Sequence, residues 1–595
     1  MKRQKFLYSI ICSKRTLYQW LPLLCTFFLL WLCLKPLKVR WAEADVILSW
    51  GILVISVMAA MLWILPKKLC GENSAKGNWS WLDALVAIET LYYVLCAWIG
   101  TEYSCATFFL KNIQMVMLYF ALRCLMAKGC LSANWIMCGM IVCAVYETGL
   151  GISQTLNGYS RHNLYLLTGT FQNPGPYSAF LMMGAVIGLA WMQEIGKEWQ
   201  KILIMCVTGF VLMLLPATWS RAALISLGIV GLWLFRKSYW RWRWYVWVGC
   251  IAVGITFYFI KQGSADGRIL TWVSALTTWL HYPWTGVGIG GFFHANANGV
   301  TELYASDPLS GLFTSGGVTD YAFNDLLKVL VEQGVIGALL CIATVCYTMS
   351  LLWQHCKPLF YGIMSLLIFS MFSYPFELLP YKIIMVMVAA WAASVHGNQN
   401  EQSKRYGWLT LSLLLFIPSY VIAKQIRTRY DADRVYQLFA GMENEGFIDD
   451  YYELLPQERD NSRFLFDFGK TLRIHGRYND SNDMLRQGAK VSPDPMFHIL
   501  MGNNYKDMGY ANLAEKAYQK AFAIMPNRIY PLYQLMLLYK DTGEEKKAKE
   551  YARQVVSFKE KITSPATKQM KEEAKRQLKG GLSPTLPCKE RYDSN

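Results

Sequence analysis

The chain has 595 residues, of which 54% are hydrophobic and 17% are charged, and its formal net charge is +17. Soluble domains carry about 25% charged residues, and several apolar runs here reach the roughly 17–25 residues that cross a bilayer, so the composition excludes a purely soluble protein. Much of the positive charge lies in loops beside the apolar runs, which indicates membrane topology rather than binding to nucleic acid.

Residues 1–424 predict an all-α bundle of about 12–13 membrane spans. The basic segment 1–20 precedes an apolar run without a small-residue cleavage site, so a retained first span is favoured over a signal peptide. The 13 candidate spans cover approximately 20–34, 45–65, 82–99, 107–126, 135–152, 177–193, 201–217, 219–235, 244–262, 325–353, 359–376, 380–395 and 407–423.

Lysine and arginine cluster in loops that all fall on one side of this bundle. They are Lys2, Arg3, Lys5, Lys14 and Arg15 before the first span, Lys67, Lys68 and Lys76 after the second, Arg236, Lys237, Arg241 and Arg243 after the eighth, and Lys404 and Arg405 after the twelfth. The positive-inside rule makes that side cytoplasmic. The largest loop, at about 263–324, and the C-terminal part are then predicted to face outwards, in the periplasm if the membrane is a bacterial inner membrane.

After Lys424 the chain becomes polar and repeats itself with a period of 33–34 residues. The repeated positions are a glycine and a small residue: Gly476, Gly509 and Gly543; Ser481, Ala514 and Ala548. This period and composition are typical of tetratricopeptide helix pairs. The predicted domains are a membrane domain at 1–424, a linker at 425–460, soluble α-helical repeats at 461–560 and a flexible charged tail at 561–595.

The 16 cysteines do not predict a metal site. Many lie inside apolar runs, none are spaced as Cys-x-x-Cys, and no Cys/His cluster has zinc-ligand spacing. We interpret them as small apolar residues, and the sequence predicts no metal and no cofactor.

Two outward-facing stretches combine turn chemistry with a cation. In "RHNLYLLTGTFQNPGPYSAFL", which begins at Arg161, Asn173 and Pro174 form a turn that leads into the sixth span. In "ATWSRAAL", Arg221 opens the eighth span. The alternatives are a simple re-entry turn for the first stretch and an arginine that snorkels to the interface for the second.

Two further stretches flank the end of the large loop. Arg268 begins a predicted amphipathic helix with Leu270, Val273, Leu276 and Leu280 on one face, which could also lie passively on the membrane, and a sharp turn containing Gly286 and Gly288 follows. In the tenth span Asn324, Lys328 and Glu332 are four residues apart and share a face. An ionisable Glu332 within a span must face protein or a wet cavity, and pairing with Lys328 is its favoured role.

Together these four stretches resemble the O-antigen ligase and polymerase superfamily over roughly 160–340. The resemblance is carried by Gly-Thr-Phe-x-Asn-Pro at 169–174, Ser-Arg at 220–221, Gly-Arg at 267–268, Pro-x-x-Gly-x-Gly at 283–288, and Asn324 with Glu332. The chain departs from the pattern at Gly175, where the family often has a second asparagine, and at Phe323, where it has a histidine.

The resemblance implies an enzyme that transfers a glycan from a polyprenyl-pyrophosphate carrier to a lipid, glycan or protein acceptor. The pyrophosphate leaving group is expected to be bound by Arg221 and Arg268, with Arg161 and Lys382 as lesser candidates, because guanidinium groups bind phosphate with two parallel hydrogen bonds. The loss of the family's histidine leaves the general base open among His294, Asp320 and Asp325. Asn324 is also a candidate catalytic residue.

Two alternatives accompany this interpretation. A transporter or flippase is less consistent with the sequence, because such proteins have paired interrupted helices and inverted repeats that we do not find. An anchor for the repeats would not need 13 spans. The concave surface that tetratricopeptide repeats form could bind a protein partner or the acceptor.

Overall fold

The computed structural model describes residues 20–34, 41–64, 79–99, 106–127, 131–158, 165–171, 173–239, 241, 244–245, 248–249, 262–306, 313, 317–395, 405–559 and 564–579. All regular secondary structure in these ranges is helical, as the sequence predicts. The described chain divides into two compact units, one of 1–261, 279–292 and 321–434 and the other of 262–278, 293–320 and 435–595.

The first unit is a bundle of apolar helices. These are α1 (Trp20–Cys33), α2 (Trp41–Ile64), α3 (Trp81–Ile99), α4 (Ala106–Met126), α5 (Ala133–Asn157), α6 (Pro174–Trp191), α7 (Glu198–Leu214), α8 (Arg221–Leu234), α11 (Asp325–His355), α12 (Lys357–Ser370), α13 (Leu379–Val395), α14 (Arg405–Leu414) and α15 (Phe416–Phe439), whose last residues enter the second unit. They coincide with every predicted span except the ninth, most of which lies outside the described residues.

By length and composition, seven helical segments in the described ranges are able to cross a membrane, and four further apolar helices are shorter. The seven include the combined segment Gly407–Phe439, which joins α14 to α15. The chain is thus a membrane protein, as its hydropathy predicts.

Helix α6 lies at the centre of the bundle. It packs against α5, α7, α8 and α12, and 14 of its 18 residues are buried. Small residues allow the close approach: a Cβ on Gly184 would lie 2.5 Å from Ala144 Cβ, and one on Gly188 would lie 2.1 Å from Thr208 Oγ1. The Asn173–Pro174 turn is therefore the start of the most enclosed helix of the bundle.

The second unit combines two helices of the large loop with the C-terminal part of the chain. The loop helices are α9 (Gln262–Trp279) and α10 (Phe292–Ser306), and the C-terminal helices are α16 (Ile448–Glu458), α17 (Ser462–Ile474), α18 (Tyr478–Val491), α19 (Pro495–Asp507), α20 (Ala511–Ile524), α21 (Tyr530–Asp541), α22 (Glu545–Ser557) and α23 (Pro565–Leu578).

The predicted repeats are confirmed as three helix pairs, α17–α18, α19–α20 and α21–α22. In each pair the first helix ends at a glycine in the left-handed region: Gly476 at φ 74°, Gly509 at φ 83° and Gly543 at φ 78°. The small residues at the repeated crossing position, Ser481, Ala514 and Ala548, are fully buried. The 33–34-residue period of the sequence therefore corresponds to one helix pair.

Three predicted boundaries differ from the structure. The segment 425–460 is not a linker, because α15 runs to Phe439 and α16 follows, and Tyr436 and Tyr451 join the core that contains Phe464. Within the predicted tail, α23 begins at a Ser564 cap and buries Ala574, so 565–578 is packed helix. Finally, the two loop helices belong to the same unit as the repeats rather than to the bundle.

Candidate functional site

The turn before α6 is held in place by two polar side chains of α5. Glu147, which is fully buried, accepts hydrogen bonds from the hydroxyl of Thr170 at 2.6 Å and from its backbone N–H at 3.1 Å. Gln154 Oε1 accepts from the N–H groups of Thr168 and Gly169 at 3.0 and 2.8 Å. Gly169 has φ 54°, and a Cβ there would lie 2.3 Å from Glu147 Oε2, so only glycine fits this position.

Asn173 joins this turn to a second turn, between α12 and α13. Its Oδ1 accepts from Gly175 N at 2.9 Å and caps α6, while its Nδ2 donates to the hydroxyl of Tyr374 at 3.1 Å. Tyr381 in turn donates to Pro176 O at 2.5 Å. Asn173 thus caps α6 and links the two turns, and its partner Tyr374 was missed by sequence analysis.

Tyr374 also contacts the segment that leads into α11. Its ring stacks on Tyr321 at a centroid distance of 4.0 Å and meets Phe323 edge-on at 5.5 Å. Phe323 has φ 51° in the left-handed region, which is unfavourable for a bulky residue. Asn324 follows it and accepts from Leu327 N at 3.0 Å, so its side chain caps α11.

Arg221, like Asp325, begins a helix that follows a residue in the left-handed region. Among the described residues Trp219, at φ 50°, and Phe323 are the two non-glycine residues with positive φ. Each lies two residues before the first residue of a helix, at Arg221 and Asp325 respectively. Strained conformations of this kind cluster at functional sites. Because α6, α7 and α8 run alternately up and down, Arg221 lies at the same end of the bundle as the start of α6.

Helix α11 is broken at Gly334, where φ is 67° and ψ is −170°. The turn after α9 inserts its backbone at the break. Val335 N donates to Pro283 O at 2.9 Å, and Val287 N donates to Val331 O at 2.9 Å. In an unbroken helix Val335 would donate to Val331 itself. The turn thus supplies the partners that the break removes.

The remaining polar backbone groups around the break are also satisfied. Gly288 N donates to Glu332 O at 2.9 Å, and Tyr92 of α3 donates its hydroxyl to Gln333 O at 2.5 Å. Backbone groups inside a bilayer need protein partners, because lipid offers none. A break in a spanning helix is stable here for that reason.

Two glycines make this contact possible. A Cβ on Gly286, at φ 71°, would lie 2.4 Å from the backbone carbon of Glu332, and a Cβ on Gly334 would lie 2.1 Å from Trp284 O. Real Cβ atoms do not approach backbone so closely, so both positions require glycine. Gly286 therefore allows the backbone of the turn to approach the backbone of α11.

A cluster of charged side chains lies beside the break. Lys328 pairs with Glu377 and, at 3.7 Å, with Glu332, which is the pairing predicted for Glu332. Glu332 Oε1 also accepts from Phe292 N at 3.3 Å. Burial acts to raise the pKa of Glu377, but the ammonium groups of Lys328 and Lys382 outweigh it and hold that pKa below its ordinary value.

This cluster lines a cavity of about 310 Å³ between α3, α4, α11 and α13. Its lining includes four carboxyl groups and two amino groups: Glu89, Asp325, Glu332 and Glu377; Lys328 and Lys382. A neutral polar group such as a sugar hydroxyl finds both hydrogen-bond acceptors and donors there. Asp325 Oδ2 accepts from Phe376 N at 3.2 Å.

The other predicted site residues lie in the second unit. Arg268 is half-buried on α9. The predicted apolar face of this helix is not a single face, because Leu270 is buried at 1% exposure while Val273 and Leu276 are about 40% exposed together with Ile269. His294 is buried on helix α10, not in a loop, and its Nε2 lies 3.4 Å from Ala489 O.

The structure thus brings most of the candidate residues together at one end of the bundle. Around the turn Tyr374–Glu377 lie the predicted residues Asn173, Pro174, Gly286, Gly288, Asn324, Glu332 and Lys382. Arg268 and His294 belong to the second unit, Asp320 is exposed there, and Arg161 lies outside the described residues. Sequence analysis missed Glu147 and Glu377, although a carboxylate in or beside a predicted span is itself a signal.

Part of the chain matches a known protein family. Residues 204–342 match the family model described as O-antigen ligase. No curated protein matches the chain at a significant level. Two crystal structures of MamA are similar at 23% identity and a TM-score of 0.19, each covering 26% of this chain and 88% or 84% of the MamA chain. At that TM-score the likeness carries no argument, and the repeats rest on their own helix pairs.

Proposed function

We propose that the chain transfers a glycan from a polyprenyl-pyrophosphate carrier to an acceptor outside the inner membrane, because residues 204–342 match the O-antigen ligase family model, which supports the membrane glycan ligase and polymerase superfamily. One observation carries the proposal. The matched range includes Arg221, Arg268 and the broken, charged half of α11.

The donor half of the reaction needs positive charge where the leaving group departs. The bond between the anomeric carbon and the phosphate oxygen breaks, and the electron pair leaves with the pyrophosphate. Arg221 and Arg268 are proposed to bind that group, because guanidinium groups remain charged and donate paired hydrogen bonds to phosphate oxygens. These cations require neither a nucleotide nor a metal to stabilise the departing charge.

The acceptor half needs a base for the attacking hydroxyl. In the cavity, Glu332 and Glu377 both pair with Lys328, whereas Asp325 accepts from the neutral N–H of Phe376. Asp325 is therefore the proposed base: its carboxylate takes the hydroxyl proton while the oxygen attacks the anomeric carbon. This assigns to a carboxylate the task that the family's histidine, replaced by Phe323, would perform.

A comparison of single variants tests the base. Asp325→Asn keeps the size of the side chain but cannot take a proton, so kcat is expected to fall by about 10²–10⁴-fold. His294→Gln and Asp320→Asn are expected to retain kcat. The reverse pattern, with His294→Gln inactive and Asp325→Asn active, would move the base to the second unit.

The acceptor decides between three related activities. A lipid acceptor makes the protein a ligase, a growing glycan makes it a polymerase, and a protein hydroxyl makes it an oligosaccharyltransferase. Mass analysis of the product formed by purified protein from labelled lipid-linked glycan identifies the acceptor. Release of the lipid pyrophosphate must accompany each transfer.

Deletion of the gene in its own host tests the function as a whole. Loss of the enzyme is expected to leave the lipid-linked glycan accumulated in the outer leaflet, with the finished glycoconjugate missing. A flippase would instead leave the precursor in the inner leaflet. Normal levels of precursor and product would reject the proposal.

A further inference from the structure

Helix α10 contacts equivalent positions in two successive repeats. His294 Nε2 lies 3.4 Å from Ala489 O, and Thr301 Oγ1 donates to Ala523 O at 3.2 Å. His294 and Thr301 are seven residues apart, two helical turns or about 10.5 Å, and so share a face. The two acceptors are 34 residues apart, which is one repeat. Each lies in the last turn of a second helix, α18 or α20, where carbonyls lack intrahelical partners.

An apolar cluster reinforces this contact. It joins Leu270 of α9 and Val300 of α10 to Ile524 at the end of α20, and its other buried members are Ala297, Phe313 and Val318. Ile524 is 7% exposed. Tyr304 of α10 meets the ring of Phe522 edge-on at 5.7 Å. The contact between α10 and the repeats therefore combines a buried apolar cluster with the polar contacts of His294 and Thr301.

Helix α9 is tied to α10 by the buried amide of Asn296 and by Thr278, whose hydroxyl donates to Ala295 O at 2.6 Å. Asn296 Nδ2 donates to Ser274 Oγ at 2.7 Å and to Thr271 O at 3.3 Å, and its Oδ1 accepts from Thr319 N at 3.0 Å. A Cβ on Gly299 would lie 1.8 Å from Ser274 O, so the two helices touch at backbone distance. Arg268 lies one turn before Thr271 on α9.

We infer that the chain's own large loop docks on the repeat array, and that this docking positions Arg268. The carbonyl ends of α18 and α20 hold α10, and α10 holds α9 through Asn296. Arg268 is then fixed by a chain of packed elements instead of by a mobile loop. The consequence for donor binding rests on the proposed function, whereas the docking of the loop does not.

The decisive variant is Ile524→Asp in the full-length protein. A carboxylate at this 7% exposed position loses water without gaining a partner, so α9 and α10 are expected to detach. Leu513→Asp is the matched control, because Leu513 lies on the same helix, α20, at 44% exposure. Thr301→Val keeps the shape of the side chain and removes its hydroxyl, which lies 3.2 Å from Ala523 O and 2.9 Å from Ala297 O within α10 itself.

Hydrogen exchange measures docking without any substrate. Amides of α9 and α10 are expected to exchange at least about tenfold faster in Ile524→Asp than in the wild type, with a smaller change in Thr301→Val and none in Leu513→Asp. Unchanged exchange in Ile524→Asp would overturn the proposal, whatever the activity. An inactive wild type would count against the proposed function alone, because exchange would still report docking.

Steady-state kinetics measures whether docking of the loop on the repeats positions Arg268. The KM for the lipid-linked donor is expected to rise about tenfold in Ile524→Asp, because a small displacement of a positioned group is costly. In an Arg268→Ala background the same substitution is expected to change KM little, because both act on one contact. Equal effects in both backgrounds would show that the repeats do not act through Arg268.

Discussion

At the scale of single residues, the site combines strained aromatic residues with charged groups. Trp219 and Phe323 occupy the left-handed region immediately before the helices that begin at Arg221 and Asp325. Such a conformation persists only where the surroundings enforce it. For Phe323 the ring contact with Tyr374 is such a constraint. Both residues therefore set the direction in which a functional helix starts.

Arg221 is expected to contribute directly to donor binding and turnover. Arg221→Ala should lower kcat/KM by about 10–150-fold, since a charge-assisted hydrogen bond contributes about 1.5–3 kcal/mol and 1.36 kcal/mol is tenfold. Arg221→Lys keeps the charge but loses the paired geometry, so an intermediate loss is expected, and Arg268 should behave in the same way. Arg236→Ala is the control, because Arg236 is exposed and lies two residues beyond the other end of α8. Near-normal transfer in both Arg221→Ala and Arg268→Ala would make these arginines interfacial anchors.

Lys328 is expected to stabilise the bundle as well as the site. Lys328→Met leaves Glu332 and Glu377 without their shared cation, and loss of one partner of a buried pair costs about 3–5 kcal/mol. The control is Lys549→Met, because Lys549 pairs with Glu545 while both side chains are exposed, at 40% and 78%, and exposed pairs contribute about 0–1 kcal/mol. Unfolding of the detergent-solubilised protein measures both. Adding Glu377→Gln should recover part of the loss; if it deepens the loss, Lys328 is not acting as a counter-ion.

At the scale of elements, the break in α11 is the feature on which the site depends. It places Glu332 beside Lys328 while the turn at 283–288 fills the gap in the hydrogen bonding. The two parts of this contact are about 50 residues apart in sequence. Each contributes a glycine whose missing Cβ leaves room for the other, Gly286 on the turn and Gly334 on the helix.

The two glycines predict a matched pair of destabilising variants. Gly334→Ala and Gly286→Ala each force a side chain into the left-handed region, costing about 1–3 kcal/mol, and also place a Cβ within 2.4 Å of backbone. Both should lower the unfolding temperature and the yield of folded protein. Gly228→Ala in α8 has open space around it and should be neutral or stabilising. Equal behaviour of all three variants would mean that the turn does not insert into α11.

Sequence patterns predict the helices well and their long-range contacts poorly. Hydropathy predicts α11 as a helix because its apolar composition is local, but "VEQGVIG" gives no sign that the partners of the break are Pro283 and Val287. The same holds for Tyr374, whose importance comes from Asn173, 201 residues away. The 33–34-residue period predicts the repeats because each pair is local, whereas nothing in it indicates that α10 docks on Ala489 and Ala523.

At the scale of the whole molecule, the composition of the second unit constrains the membrane topology. Residues 293–320 precede α11, residues 435–595 follow the last span, and they share one hydrophobic core. Parts of one soluble core lie on the same side of a membrane. The number of spans between them must therefore be even, and the sequence predicts four there, in α11, α12, α13 and the α14–α15 segment.

Reporter fusions in a bacterial host test this parity together with the predicted orientation. Alkaline phosphatase, active only outside the cytoplasm, is expected to be active when fused after Pro308 in the outer loop and after Asn595. It is expected to be inactive after Gly397, which precedes the basic pair Lys404 and Arg405. A fluorescent reporter that folds only in the cytoplasm should give the opposite pattern and so controls for expression. Opposite results at Pro308 and Asn595 would rule out a shared core, because its two parts would lie on different sides of the membrane. Matching results with both positions cytoplasmic would keep the core but reverse the orientation, and would place the proposed transfer on the inner face.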